Sequence, residues 1–233
     1  MKILNIILFG LLLTIFSKNE ETKPVTPKID STYYYDDTII GIDISRYQGV
    51  VNWGGLPKTH FVFIKATEGI KLTDMMFQRN WDSAKKYKII RGAYHFYRPY
   101  VTPYDQFKFF KSVVKLENGD LPPVIDAEAY SKYSVKYQKD LKTFSILLEK
   151  HYKVKPIIYC NNPFYKKYFA DSFYNNHHFW IANYITKNID SVAPHWDFWQ
   201  YTPYGKVSGI IPSVDKNYFR WGYDSLIKIC INR

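Results

Sequence analysis

Two acids separated by one residue end an apolar run in Leu121-Pro-Pro-Val-Ile-Asp126-Ala127-Glu128. A strand alternates its side chains between two faces, so Asp126 and Glu128 share a face with α-carbons about 6.6 Å apart. Carboxylates that close favour retention of a proton by one of them, which suits general acid catalysis. Gly41-Ile-Asp43-Ile-Ser45 repeats the pattern with a single acid between two isoleucines. Pro212-Ser-Val-Asp215 offers another acid on a late strand. Each has a plainer reading: Asp126 and Glu128 as solvent-facing loop acids, Asp43 and Asp215 as turn or cap residues. Several acids also suit a divalent cation, but no ligand spacing identifies a metal, and no cofactor is implied.

Around these acids lie residues able to shape a polar groove. Lys65-Ala-Thr-Glu68 closes an apolar segment and either adds a polar shell or forms structural ion pairs. In Gly92-Ala-Tyr94-His95-Phe96-Tyr97, Tyr94 and Phe96 share one face while His95 takes the other, where a structural and a catalytic role are equally open. His177-His178 reads as a loop or strand-entry pair rather than a zinc site. Trp180-Ile-Ala-Asn-Tyr184 and Trp199-Gln200-Tyr201 combine flat rings with amides and hydroxyls. That combination binds carbohydrate, with rings covering apolar sugar faces and polar groups reading the edges, although core packing accounts for any single ring. Stacking on RNA uses related physics, but no recognition module accompanies these rings.

Eight short strands are predicted to position these groups: 39–45, 61–67, 89–96, 124–128, 156–160, 179–184, 196–202 and 213–218. Between several of them the apolar period lengthens to that of a helix. Phe77, Trp81 and Ala84 share one helical face, and a second helix starts after Thr102 with Pro103 at its first position and Phe107, Phe110 and Val114 along its stripe. Ser134 is read as the cap of a third, carrying Tyr137, Leu141, Phe144 and Leu148. A shorter fourth begins at Asn162-Pro163, with Tyr165, Tyr168 and Phe169 over the sheet. Strand and helix alternation predicts a largely parallel α/β barrel, irregular in its last third. An open doubly wound sheet competes, but no Gly-x-Gly-x-x-Gly comes after a strand. Closure would make the first and last strands neighbours and bring Asp43 to Asp215.

The 233 residues include 6 Trp, 22 Tyr and 16 Phe, too many rings for a disordered chain and enough for one extensively buried domain. Lys2, the apolar run 3–16 and the polar Ser17-Lys18 have the form of a secretory signal peptide. A retained signal anchor is the alternative, so the reading is a secreted or periplasmic protein, tethered to a membrane if residues 1–18 stay. Residues 19–38 read as a polar spacer, 39–222 as the barrel and 223–233 as a C-terminal extension. The formal charge of +11 favours anionic partners, whether nucleic acid, an acidic membrane or a cell-wall polymer. Cys160 and Cys230 are the only cysteines, and whether they pair depends on a proximity the sequence does not give.

Taken in order, these segments resemble the Chalaropsis-type lysozymes, glycoside hydrolase family 25. Gly41-Ile-Asp43-Ile-Ser45-Arg-Tyr-Gln48-Gly49 is similar to the family's opening signature and Asn52-Trp53 to its next segment. Phe63-Ile-Lys65-Ala-Thr-Glu68-Gly69, Gly92 to Pro99, Leu121 to Glu128, Trp180 to Tyr184, Trp199 to Tyr201 and Val214-Asp215-Lys-Asn217 continue the order across residues 40–222. The resemblance implies a compact modified TIM-like β/α barrel that cleaves the β-1,4 bond between N-acetylmuramic acid and N-acetylglucosamine in peptidoglycan strands. Glu128 would be the general acid, with Asp126, Asp43 and Asp215 completing the acidic centre. Tyr94, Tyr184, Gln200, Phe96 and Tyr201 would line the groove, although alternation turns Trp199 and Tyr201 away from Gln200. The positive charge would then help hold anionic wall polymers; no specific nucleic-acid or protein partner is implied. A noncatalytic peptidoglycan-binding protein and a glycosidase of chitin-like glycans are the alternatives. Two departures from the family pattern fall outside the acids: bulky Phe107 after Gln106, and Lys88 where a glycine would often precede the third strand.

Overall fold

A sheet whose first and last members pair has no open edge. The computed structural model, which describes residues 38–232, contains such a sheet. Its strands are β1 (Ile39–Ile44), β2 (Phe61–Glu68), β3 (Leu72–Thr73), β4 (Ile90–Phe96), β5 (Val124–Asp126), β6 (Ile157–Asn161), β7 (Phe179–Ala182), β8 (Phe198–Gly205) and β9 (Val214–Phe219). The order β1-β9-β8-β7-β6-β5-β4-β2 closes through a parallel β1–β2 pair. All eight expected strands are present; β3 is an additional two-residue arm antiparallel to the end of β2. The leader 1–18 and all of the spacer 19–38 except Thr38 lie outside the described residues.

The barrel is parallel except at β9, which runs antiparallel to both β8 and β1. A parallel return needs a crossover, usually a helix, but only a short loop separates Gly205 from Val214. Reversal is the only direction that loop permits. Among the described residues, α1 (Phe77–Lys86), α2 (Pro103–Val113), α3 (Ser134–Tyr152) and α4 (Asn162–Phe164), which continues as a π-helical turn over Tyr165–Phe169, cover part of the outside, and α5 (Tyr223–Ile229) packs at the base of the barrel. Thr102 caps α2 by accepting from Asp105 N, with Pro103 behind it as expected. Ser134 is the first residue of α3 rather than its cap; Tyr133 holds that position without a side-chain cap.

Alternation along β1 and β2 divides the apolar residues into two layers. Ile42, Ile44, Val62 and Ile64 point outward, into a core shared with Trp81, Phe110, Phe144 and Leu148 of the helices. Phe61, Phe63, Trp180 and Phe198 fill the barrel, with Phe63 stacked on Trp180 at 4.2 Å. Glycines make room for these rings: a Cβ on Gly41 would lie 2.4 Å from Phe61, and one on Gly92 2.7 Å from Phe63.

The last residues belong to this interior instead of extending beyond it. Leu226 and Cys230 of the α5 segment pack with Ile39, Ile90 and Leu121 at the starts of the strands. Backbone bonds from Gly119 N to Ile231 O and from Ile231 N to Asp120 O hold the segment there. Cys160 lies in the outer core and Cys230 in the inner one, and both are free thiols. Lys88, between α1 and β4, takes φ 56°, the left-handed backbone that a glycine accommodates.

Candidate active site

At the opposite end from α5, the strand ends surround a cleft of about 460 Å³. It collects all four acids expected to act together: Asp43 from β1, Asp126 from β5, Glu128 just after β5, and Asp215 from β9. β5 ends at Asp126, so Glu128 lies on a loop and not on the strand as expected; it still reaches the cleft, with its side chain open to solvent.

Asp43 is buried and bound. Gln200 Nε2 and Asn217 Nδ2 both donate to its Oδ2, at 2.9 and 2.8 Å. The direction of each amide is set from behind. Trp180 Nε1, which can only donate, bonds Asn217 Oδ1 at 2.7 Å, and this turns the Asn217 amino group toward the acid. Gln200 Oε1 accepts from the hydroxyls of Tyr159 (2.9 Å) and Tyr184 (2.5 Å). Gln48 ties the end of β1 to the start of β9, accepting from Ser45 N through Oε1 and donating to Ser213 O.

Crowding and burial make these carboxyls weak acids. Burial pushes Asp43 up to about 6, against the two amide bonds that lower it, and the Glu128 charge adds to the rise. Asp215 is pushed up to about 8, by burial first and then by Asp43. Asp126 lies well above the usual range through burial and the charge of Glu128. Its Oδ1 is buried and has no hydrogen-bond partner among the described residues. Glu128 is raised by its desolvation in the cleft, with Lys65 pulling the other way. Thus the site can hold protons at pH values where ordinary carboxylates have lost them.

The wall formed by β2 and β4 is different. A register shift between Lys65 and Thr67 puts Lys65 and Glu68 on the cleft face three positions apart, where plain alternation would separate them. Glu68 bonds Lys65 at 2.7 Å and also pairs with Arg98. Burial works to raise the Glu68 pKa, but these cations outweigh it and hold the group below its ordinary value. Phe96 and Tyr94 line the cleft as expected, and both Lys65 and Arg98 sit over the Phe96 ring.

Tyr184 and Gln200 also reach the cleft, but Tyr201 does not. It faces the outer core, stacked on Tyr218 at 4.3 Å, because it neighbours inward-facing Gln200 on β8. Trp199 turns outward with it, donating to Asn183 O. Trp180 faces inward, as a floor to the site and part of the barrel core. His95 is fully buried behind the wall, between Thr67 and Gln106, in a structural role. His177 contacts Ser145 in the core, while His178 pairs with Asp197. Sequence reasoning passed over Tyr159 and Arg98 as site residues. Tyr159 was detectable as the one hydroxyl in the apolar run 157–160, two positions from inward-facing Ile157.

The site can be set beside known proteins. The family model for glycosyl hydrolases family 25 matches residues 42–210. The protein YegX of Escherichia coli O6:H1 is 37% identical over 197 residues, covering 81% of this chain and 72% of its own. Lysozyme M1 of Streptomyces globisporus is 30% identical over 209 residues, covering 82% and 71%. A family 25 glycosyl hydrolase structure from Bacillus anthracis superimposes with a TM-score of 0.75 at 31% identity, over 85% of this chain and 96% of that one. The matched stretch runs from β1 into the loop before β9 and carries Asp43, Asp126, Glu128 and Gln200. With a closed barrel, an acidic cleft at its strand ends and a family model matching most of its length, the chain belongs to glycosyl hydrolases family 25.

Proposed function

We propose that the protein is an N-acetylmuramidase that hydrolyses the β-1,4 bond between N-acetylmuramic acid and N-acetylglucosamine, with Glu128 as general acid. The observation that carries this is the position of Glu128: open to the cleft, near buried Asp126, and raised in pKa. A leaving glycosidic oxygen needs a proton, and a carboxyl whose burial raises its proton affinity above that of an ordinary glutamate is suited to supply it. After departure, the ionised Glu128 would accept a proton from water attacking the anomeric carbon.

The other acids have distinct tasks. Asp126 offers its unpartnered Oδ1 to positive charge developing at the anomeric centre or to the N–H of a substrate acetamide. Asp43, fixed by Gln200 and Asn217, adds its charge to those that raise Asp126, and Asp215 faces Asp43 across the β1–β9 pair as the fourth acid of the cleft. Tyr94, Phe96 and Tyr184 supply ring surface and hydroxyls to the sugars. The basic surface supports retention on anionic wall polymers.

Digestion of purified peptidoglycan, with identification of the new reducing ends, tests this reading. Native protein should release N-acetylmuramic reducing ends, and Glu128→Gln should lower the rate at least about 100-fold. Undiminished activity in Glu128→Gln would remove its assigned role. Wall binding without cleavage, or cleavage of chitin-like glycans alone, would replace the muramidase assignment.

A further inference from the structure

Arg98 is held in place from several sides although its side chain is 49% exposed. Gln106 bonds both ends of its backbone: Arg98 N donates to Gln106 Oε1 at 2.8 Å, and Gln106 Nε2 donates to Arg98 O at 3.0 Å and Val101 O at 3.1 Å. Gln106 is completely buried and is braced by His95 Nε2 at 3.1 Å. Its Oε1 can only accept, so Nε2 carries the imidazole proton and Nδ1 accepts from Thr67 Oγ1 at 2.7 Å. Gly69, at φ +55°, leaves room for the Arg98 stem: a Cβ there would stand 3.3 Å from Arg98 Cγ. Finally, the guanidinium lies over Phe96, 4.6 Å from the ring centre, and donates to Glu68 through Nε at 3.0 Å.

Neutralising Glu68 does not account for this construction. Lys65 already pairs with Glu68 from within the wall, at 13% exposure, so the three groups leave a positive charge in excess. Glu68 engages Nε and Nη2 of Arg98, which leaves further guanidinium donors for a ligand. The excess faces the cleft that contains the four acids, on the wall formed by β2 and β4. A planar guanidinium held at a groove is suited to bidentate binding of a carboxylate.

We infer that Arg98, supported by Lys65, is a specificity-determining residue that binds a carboxylate carried by the glycan beside the scissile bond. The inference rests on the muramidase reading, because N-acetylmuramic acid differs from N-acetylglucosamine by its lactyl ether, which ends in a carboxylate or in an amide-linked peptide stem bearing carboxylates of its own. Either source presents the same chemistry to Arg98. His95 and Gln106 are positioning residues, acting through the loop that carries it.

The test compares four glycans in two pairs: peptide-free strands with free lactyl carboxylates or with those groups capped as methylamides, and peptide-bearing strands with free or with capped stem carboxylates. Native protein should prefer uncapped over capped glycan by about tenfold or more in kcat/KM, the size expected of a charge-assisted hydrogen bond. Arg98→Gln should collapse that ratio toward one, and Arg98→Lys, which keeps the charge but loses the fork, should fall between them. A preference confined to the peptide-free pair identifies the lactyl group; one confined to the peptide-bearing pair identifies the stem. An equal native rate on capped and uncapped glycans in both pairs, or a ratio unchanged by Arg98→Gln, overturns the inference. Calorimetric binding of the same glycans reads the ratio without cleavage, so absence of muramic reducing ends would count against the proposed reaction while the Arg98 assignment is still decided by binding. Thermal unfolding of each variant verifies that the fold is retained.

Discussion

Asp43 and Asp215 stand directly opposite one another across the antiparallel β1–β9 pair. Residues in that relationship share a face of the sheet with Cβ atoms about 5 Å apart. Burial raises both acids, but two amide bonds hold Asp43 to about 6, while the Asp43 charge adds to burial in raising Asp215 to about 8. Asp43→Asn should therefore lower the Asp215 titration below about 8, read from carboxyl carbon-13 shifts against pH. An Asp215 titration unmoved by Asp43→Asn would show that burial and the Glu128 charge account for it without Asp43.

The same shifts govern stability. Both folded pKa values exceed that of an unfolded aspartate, about 3.9. The folded protein consequently binds more protons than the unfolded chain between about pH 4 and pH 8. The stability contributed by these groups is complete below about pH 4 and is lost as pH rises through about 6 and then about 8. Relative to Asp215→Asn, the native protein should lose stability from pH 5 to pH 9 in urea denaturation. A difference that grows in the other direction would mean that Asp215 is stabilised as the anion.

Asn217 connects the acid to the barrel core, although it lies 174 positions from Asp43. Asn217→Leu would remove a donor from the ionised carboxyl and leave the buried Trp180 indole N–H without its acceptor. The expected cost is about 1–3 kcal/mol. Asp43 should also titrate higher than about 6, because a bond favouring its charged form is gone. Urea denaturation and carboxyl shifts measure the two effects separately.

Gly41 lets β1 pass the Phe61 ring. Phe61 cannot swing aside easily, since it is fully buried with ring contacts to Phe63 at 5.6 Å and Phe198 at 5.2 Å. Gly41→Ala should destabilise the fold by about 1–3 kcal/mol through overpacking, seen as a lower Tm.

Lys88 offers the opposite case. Its left-handed backbone costs roughly 1–2 kcal/mol, and a glycine would relieve that while losing roughly 0.5–1 kcal/mol to chain entropy. Lys88→Gly should stabilise the protein by up to about 1 kcal/mol, with glycan cleavage unaffected because Lys88 does not line the cleft. A lower Tm would show that the lysine side chain contributes contacts that outweigh the strain.

What the sequence determined by itself was local and periodic. Alternation sent Ile42 and Ile44 to one side of β1 and Asp43 to the other, and it separated Tyr94 and Phe96 from His95. It also warned that Tyr201 turns away from Gln200, as its stack on Tyr218 shows. The barrel and the membership of the four acids in one cluster came from ordered motifs and from closure. Tertiary structure decided what depends on partners distant in the chain. The short loop before β9 forces that strand antiparallel and sets Asp43 opposite Asp215. The shift in β2 brings Glu68 to the cleft beside Lys65. The amide of Gln200 is aimed by Tyr159 on β6 and Tyr184 in the loop after β7, and α5 enters the barrel base although its residues read as an extension. A strand's period depends only on its own backbone, whereas register, amide orientation and the proton affinity of a buried acid depend on neighbours that only the closed barrel brings into contact.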